Sequence, residues 1–146
     1  MVTWTTFGTW LQGDERCYVK DGQILPPSEN LKKANLSAIK QNIITLSPFQ
    51  RNVVEIGIRQ EAKRINHKIH ALTVCSNHIH LLLDTSDESI EEAVHRYKYS
   101  ATAALRKQGI QHEKIWTKGF DKRFCFDSKE LNARIDYVQR HNQTNV

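Results

Sequence analysis

No stretch of this chain stays apolar for the ~20 residues that a membrane-spanning helix needs. Its first residues also lack the charged-then-apolar order of an export signal. Cysteine is scarce: Cys17, Cys75 and Cys125 are odd in number, far apart and without a Cys-x-x-Cys pair. They read as the reduced thiols of a cytoplasmic protein rather than as a disulfide framework. There is no internal repeat and no low-complexity segment. Nor is there an acidic excess, since 21 Lys and Arg face 16 Asp and Glu, a formal net charge of +5. That balance favours a polyanionic partner, nucleic acid above all, without naming one.

What is present is globular: 25% charged and 39% hydrophobic residues in a chain of 146. Such a length suits one domain with a real core and is short for two. VTWTTFGTWL, from Val2, is rich in β-branched and aromatic residues and reads as a first strand. Residues 12 to about 45 carry Gly, Asp and Pro-Pro and read as a long insertion with one short helix. Ser47, Pro48 and Gln50 form a helix start, and Val54, Ile58, Ala62 and Ile65 its core-facing stripe. HKIHALTVC and HIHLLLD are two strands joined by a tight turn at Ser76-Asn77. A second helix follows, capped at Ser86 or Asp87 and stopped at Gly109, with Ile90, Val94, Tyr97 and Ala101 as its stripe. IWTKGFDKRFCF supplies a strand or hairpin, and SKELNARIDYVQRHN a last helix capped by Ser128. The resulting order predicts an α+β fold, a ferredoxin-like βαββαβ sheet with helices on one face.

The unusual stretch is SNHIHLLL, residues 76–83. Strand side chains at i and i+2 share a face, so His78 and His80 stand together, with Cα atoms ~7 Å apart. Two imidazoles so placed can converge on one metal ion and leave positions open. Equally, they can be ordinary polar residues on a half-exposed face. In the last helix, Tyr137 and His141 are four residues apart and lie on one side, beside the stripe Leu131, Ile135 and Val138. Packing that stripe on the sheet brings a phenol, and a third imidazole, toward the histidine pair.

These residues carry a resemblance. The His-Ile-His motif at 78–80, followed by Tyr137 in a terminal helix, is similar to the single-tyrosine HUH transposases. TFGTWLQGDER (6–16), LTVCSNHIHLLL (72–83) and IWTKGFDKRF (115–124) resemble the branch associated with REP hairpin repeats. The resemblance implies one transposase-like domain over residues 1–146, with Tyr137 as the nucleophile of a C-terminal catalytic helix. It implies a DNA endonuclease and strand-joining activity that passes through a 5′-phosphotyrosine intermediate on single-stranded or hairpin DNA. Phenols ionise near pH ~10 in water, so an ion or a neighbouring base must help. His78 and His80, with His141 at the family's third-ligand position, would hold Mg²⁺ or Mn²⁺. A bacterial, cytoplasmic, nucleoid-associated protein acting as monomer or homodimer is implied as well.

Other readings stay open at this stage. Cys75 and His78 have finger-like spacing, but no second cysteine pair completes a zinc site. Tyr99, four residues after His95, is the competing tyrosine, while His67 and His70 read as surface or hairpin residues. A non-catalytic DNA- or RNA-binding module on the same topology would leave His78, His80, Tyr137 and His141 unexplained, whereas a relic that binds repeats without cutting would carry them as a record of ancestry. For DNA contacts, Lys98, Arg106, Lys118, Lys122 and Arg123 are candidate phosphate partners. Trp10 is a candidate for base stacking and Arg16 for reading the hairpin.

Overall fold

The computed structural model describes residues 1–9, 18–20, 23–38, 43–85 and 87–144. Four strands form one antiparallel sheet. The first, β1 (Val2–Thr5), alternates buried Val2 and Trp4 with half-buried Thr3 and Thr5. The segment after it holds more than the expected single helix. A hairpin of β2 (Tyr18–Lys20) and β3 (Gln23–Leu25) precedes α1 (Glu29–Ala38). Polar turn composition hid these short strands.

Helix α2 (Pro48–Arg64) begins as its sequence predicts. Ser47 Oγ accepts from the Gln50 amide at 3.2 Å, and Gln50 Oε1 accepts from the Ser47 amide at 2.8 Å. This reciprocal cap satisfies two amides that the helix itself cannot. Strands β4 (Lys68–Val74) and β5 (His78–Asp84) follow, joined by the two-residue turn. The turn closes with the Cys75 amide donating to His78 carbonyl oxygen at 2.8 Å.

Helix α3 (Ile90–Lys107) is capped by Ser89, not by Ser86 or Asp87. Glu92 decides this. It lies three residues beyond Ser89 and returns a bond to the Ser89 amide at 3.2 Å, whereas the residue three beyond Asp87 is Ile90; Ser86 itself lies outside the described residues. The helix ends as expected, with Gly109 at φ 86. The IWTKGFDKRFCF stretch forms a bridge from Trp116 to Thr6 and the two-residue strand β6 (Asp121–Lys122). The last helix, α4 (Ser128–Thr144), is capped one residue earlier than expected. Asp127 Oδ1 accepts from the Glu130 amide at 2.8 Å, and Glu130 reaches back to the Phe126 amide at 2.8 Å. A carboxylate there also complements the helix dipole.

The strand order is β4-β5-β1-β6, all antiparallel, with connections β-α-β-β-α-β. This is the ferredoxin-like arrangement, and its two faces are unlike. Trp4, Leu72, Val74, Ile79 and Leu81 point to the face covered by α2 and α3, where Val54, Ile58, Val94, Tyr97 and Leu105 complete the core. The helices meet closely at Gly57: a Cβ there would stand 3.2 Å from that of Ala104. Helix α4 lies on the opposite face, over Ala71 and Leu82.

Of the two histidines read as surface or hairpin residues, His70 does lie in the β4–β5 hairpin, and His67 has other surroundings. His67 is buried, its Nδ1 3.0 Å from the hydroxyl of the fully buried Tyr97. His70 is the extra residue where the β4–β5 register shifts, and its Nε2 lies 2.9 Å from Asp84 Oδ2. A buried phenol needs a partner, and hydropathy alone does not reveal which polar residue supplies it.

Candidate metal and tyrosine site

The site grows out of strand parity. With Ile79 and Leu81 committed to the α2/α3 core, His78 and His80 necessarily face α4. The 3.6-residue periodicity of α4 turns Val138 onto the sheet and brings Tyr137 and His141 beside it. Ring centroids measure 4.7 Å from His78 to His80, 4.9 Å from His80 to His141 and 6.1 Å from His78 to His141. The Tyr137 ring lies 5.5 Å from His80 and 4.5 Å from His141. The structure therefore gathers all four residues that sequence spacing singled out.

Each imidazole is oriented through Nδ1. His78 Nδ1–H donates to Asn77 Oδ1 at 2.7 Å, and His141 Nδ1–H donates to the Tyr137 carbonyl oxygen at 3.1 Å. His80 Nδ1 is 2.8 Å from Thr3 Oγ1, its neighbour across the β1–β5 pair. Carbonyl oxygens only accept, so in the neutral form of the His78 and His141 rings the proton sits on Nδ1 and Nε2 keeps the lone pair. Ring nitrogens of His78, His80 and His141 come within 4.8 Å of one another. Three imidazoles that offer ring nitrogens this close together, each ring held by a hydrogen bond at Nδ1, fit a divalent ion. Sequence reading missed Thr3 and Asn77, which supply two of those partners.

His80 is the deepest of the three, 6% exposed. Burial, followed by the nearby His78 and His141, pushes its pKa down to about 4. Its ring is thus neutral near pH 7, the state in which a nitrogen can bind a metal. Tyr137 remains 42% exposed, so an extended ligand can reach it.

The other candidates are placed differently. Lys98 Nζ donates to the carbonyl oxygens of Thr117 at 3.0 Å and Gly119 at 2.6 Å, and burial pushes its pKa down to about 8. Its ammonium holds the 117–119 loop. Lys122 pairs with Glu91 on α3, and Arg123 Nε lies 3.2 Å from Asp121 Oδ2. Arg106 and Lys118 are exposed. Trp10 and Arg16 lie outside the described residues, as does Cys17. Tyr99, 73% exposed, projects from α3 in a pocket with His95, Arg96, Glu61 and Arg64, while the histidine triad belongs to the face under α4. Among the described residues, no helix is long and apolar enough to cross a membrane.

A ferredoxin-like sheet with three convergent imidazoles and a phenol on the face under α4 defines a class, an α+β protein with a histidine cluster that could hold a metal beside a tyrosine. The family model for IS200-like transposases matches residues 37–141, a span that includes His78, His80, Tyr137 and His141. That is more than two thirds of the chain, which belongs to the IS200-like transposase family. Membership carries the general activity, DNA cleavage in transposition and recombination, with DNA as partner. No curated protein matches the chain.

Proposed function

We propose that this protein cuts and rejoins single-stranded DNA at hairpin-forming, REP-like repeats through a 5′-phosphotyrosine intermediate on Tyr137. The observation that carries the reading is the Tyr137 ring, 5.5 Å from His80 and 4.5 Å from His141, on a solvent-open face. The hairpin substrate is supported by TFGTWLQGDER and IWTKGFDKRF, which resemble the repeat-associated branch. A divalent ion, Mg²⁺ or Mn²⁺, held by His78, His80 and His141, would polarise the scissile phosphate.

The chain's own residues do the rest. Tyr137 Oη bonds to the phosphorus as the P–O3′ bond breaks, the phenolic proton leaving to water and the departing 3′ oxygen ending as a hydroxyl. One phosphodiester is exchanged for another, so a 3′-OH can reverse the step on a second strand without a nucleoside triphosphate. Thr3 and Asn77 keep the ring nitrogens of His80 and His78 in the orientation the site requires. Arg106, Lys118, Lys122 and Arg123 would contact phosphates. Lys98 serves this surface by fixing the loop that carries Lys118. Trp10 would stack on a base, and Arg16 would read the hairpin. Unchanged hairpin affinity and preference in Arg16→Ala would remove that last assignment.

The test uses single strands carrying candidate hairpins, labelled at either end and incubated with Mn²⁺ or Mg²⁺ before a denaturing gel. A protein-linked strand bearing the 3′ label is expected, lost with chelator and with Tyr137→Phe and retained in Tyr99→Phe. Tight hairpin binding with no adduct on any strand would favour a non-catalytic repeat-binding module instead.

A further inference from the structure

Helix α4 meets the sheet through a small apolar patch, Val138 on Ala71 and Leu82, edged by Met1, Cys125, Leu131 and Ile135. Apolar contact is non-directional, so such a patch holds the helix down without fixing its rotation or height. Yet one residue of slippage moves a helical side chain by ~1.5 Å and turns it by ~100°. The tyrosine and third histidine of the site would not survive that displacement.

A directional contact lies under the helix. Thr73 Oγ1 donates to the Val138 carbonyl oxygen at 2.7 Å, with Thr73 1% exposed and Val138 fully buried. A backbone carbonyl has two lone pairs, so it accepts this bond beside its helical one. The two ends are informative. Thr73 pairs with His80 in the β4–β5 register, and Val138 is the residue after Tyr137. One buried hydroxyl therefore ties the strand position opposite His80 to the helix position adjoining the phenol.

We propose that Thr73 is a positioning residue: its hydroxyl sets the rotation and height of α4, and through them the approach of Tyr137 and His141 to His80. The placement stands on geometry alone; its consequence for strand cleavage rests on the reading of Tyr137 given above.

The test compares Thr73→Val, which keeps the shape and removes the donor, with Thr73→Ser, which keeps the donor. In the full chain, nuclear Overhauser contacts between the Tyr137 and His80 rings report the placement without any ion or DNA. Adduct formation at saturating single-stranded DNA reports the consequence. Thr73→Val is expected to lose most of the ring contact while melting cooperatively, and to slow adduct formation about 10- to 100-fold with little change in KM. Thr73→Ser is expected to restore both. Should the valine pack poorly, Thr73→Ala, which also lacks the donor, is read the same way. Wild-type ring contacts in Thr73→Val or Thr73→Ala, or no recovery in Thr73→Ser, would overturn the proposal. A wild-type protein that forms no adduct, with ring contacts that follow the hydroxyl, would sink the nucleophile assignment and leave the positioning role standing.

Discussion

The two faces of one sheet are put to opposite uses. Under α2 and α3, Trp4, Ile58, Ile79, Leu81, Tyr97 and Leu105 are wholly buried, and His67 supplies the partner of the Tyr97 hydroxyl. Under α4 the apolar patch is three buried residues deep, and Thr3, Thr73, His78 and His80 occupy ground that a core would fill with Val or Leu. Alternation along β5 joins the two, with Ile79 and Leu81 serving one side and His78 and His80 the other. Stability is thereby concentrated on one face, and the second is free to carry polar side chains at a burial that a stability-driven face would not tolerate.

That contrast can be broken from either side. The largest effect is expected at the phenol. Tyr137→Phe should reduce strand cleavage by at least ~10⁴-fold, the scale on which a lost nucleophile acts, and leave the melting temperature almost unchanged. On the opposite face the pattern should invert. Ile58→Ala should destabilise the fold by about 2–5 kcal/mol in chemical denaturation, while the protein that remains folded keeps its ion affinity. Between these lies Thr3→Val, which removes the His80 partner without a large change in shape. Titration with Mn²⁺ should show a ~10- to 100-fold loss of affinity; an unchanged value would mean that Thr3 does not orient the ring.

The smallest effect is with pH. His80 has a native pKa of about 4 against an ordinary value near 6.5, so the unfolded chain binds its proton first. Stability contributed by the neutral ring is complete above pH ~6.5 and falls as pH drops toward ~4. Between pH 7 and 5 this amounts to about 1–2 kcal/mol. Denaturation of His80→Gln beside wild type should show a shallower decline, and parallel curves would contradict the assignment.

Much of this was legible in the residues. Ser47-Pro48-x-Gln50 announced α2, and the parity of His78 and His80 against Ile79 and Leu81 announced which side would carry chemistry. The i, i+4 spacing of Tyr137 and His141 placed them correctly, because a helix stripe fixes its neighbours by rotation alone. Thr73 was within reach too: a two-residue turn at 76–77 pairs 75 with 78 and therefore 73 with 80. It went unread because a lone threonine in a strand carries no signal until the helix above it is placed. The start of α3 was hidden by a run with several capping residues, where only the Ser89–Glu92 bond selects one. β6 is two residues long, too short for any periodicity. The basic residues of α3 and of the stretch around β6 could not reveal that Lys98 donates to the carbonyl oxygens of Thr117 and Gly119 or that Lys122 pairs with Glu91.

Cleavage and rejoining turn on one bond, between Tyr137 and DNA. Protein incubated with a hairpin-bearing single strand and Mn²⁺, digested and read by tandem mass spectrometry, should yield a nucleotide-bearing peptide whose modified residue is Tyr137. The adduct on Tyr99 or any other residue, or cleaved DNA with every tyrosine unmodified, would contradict it.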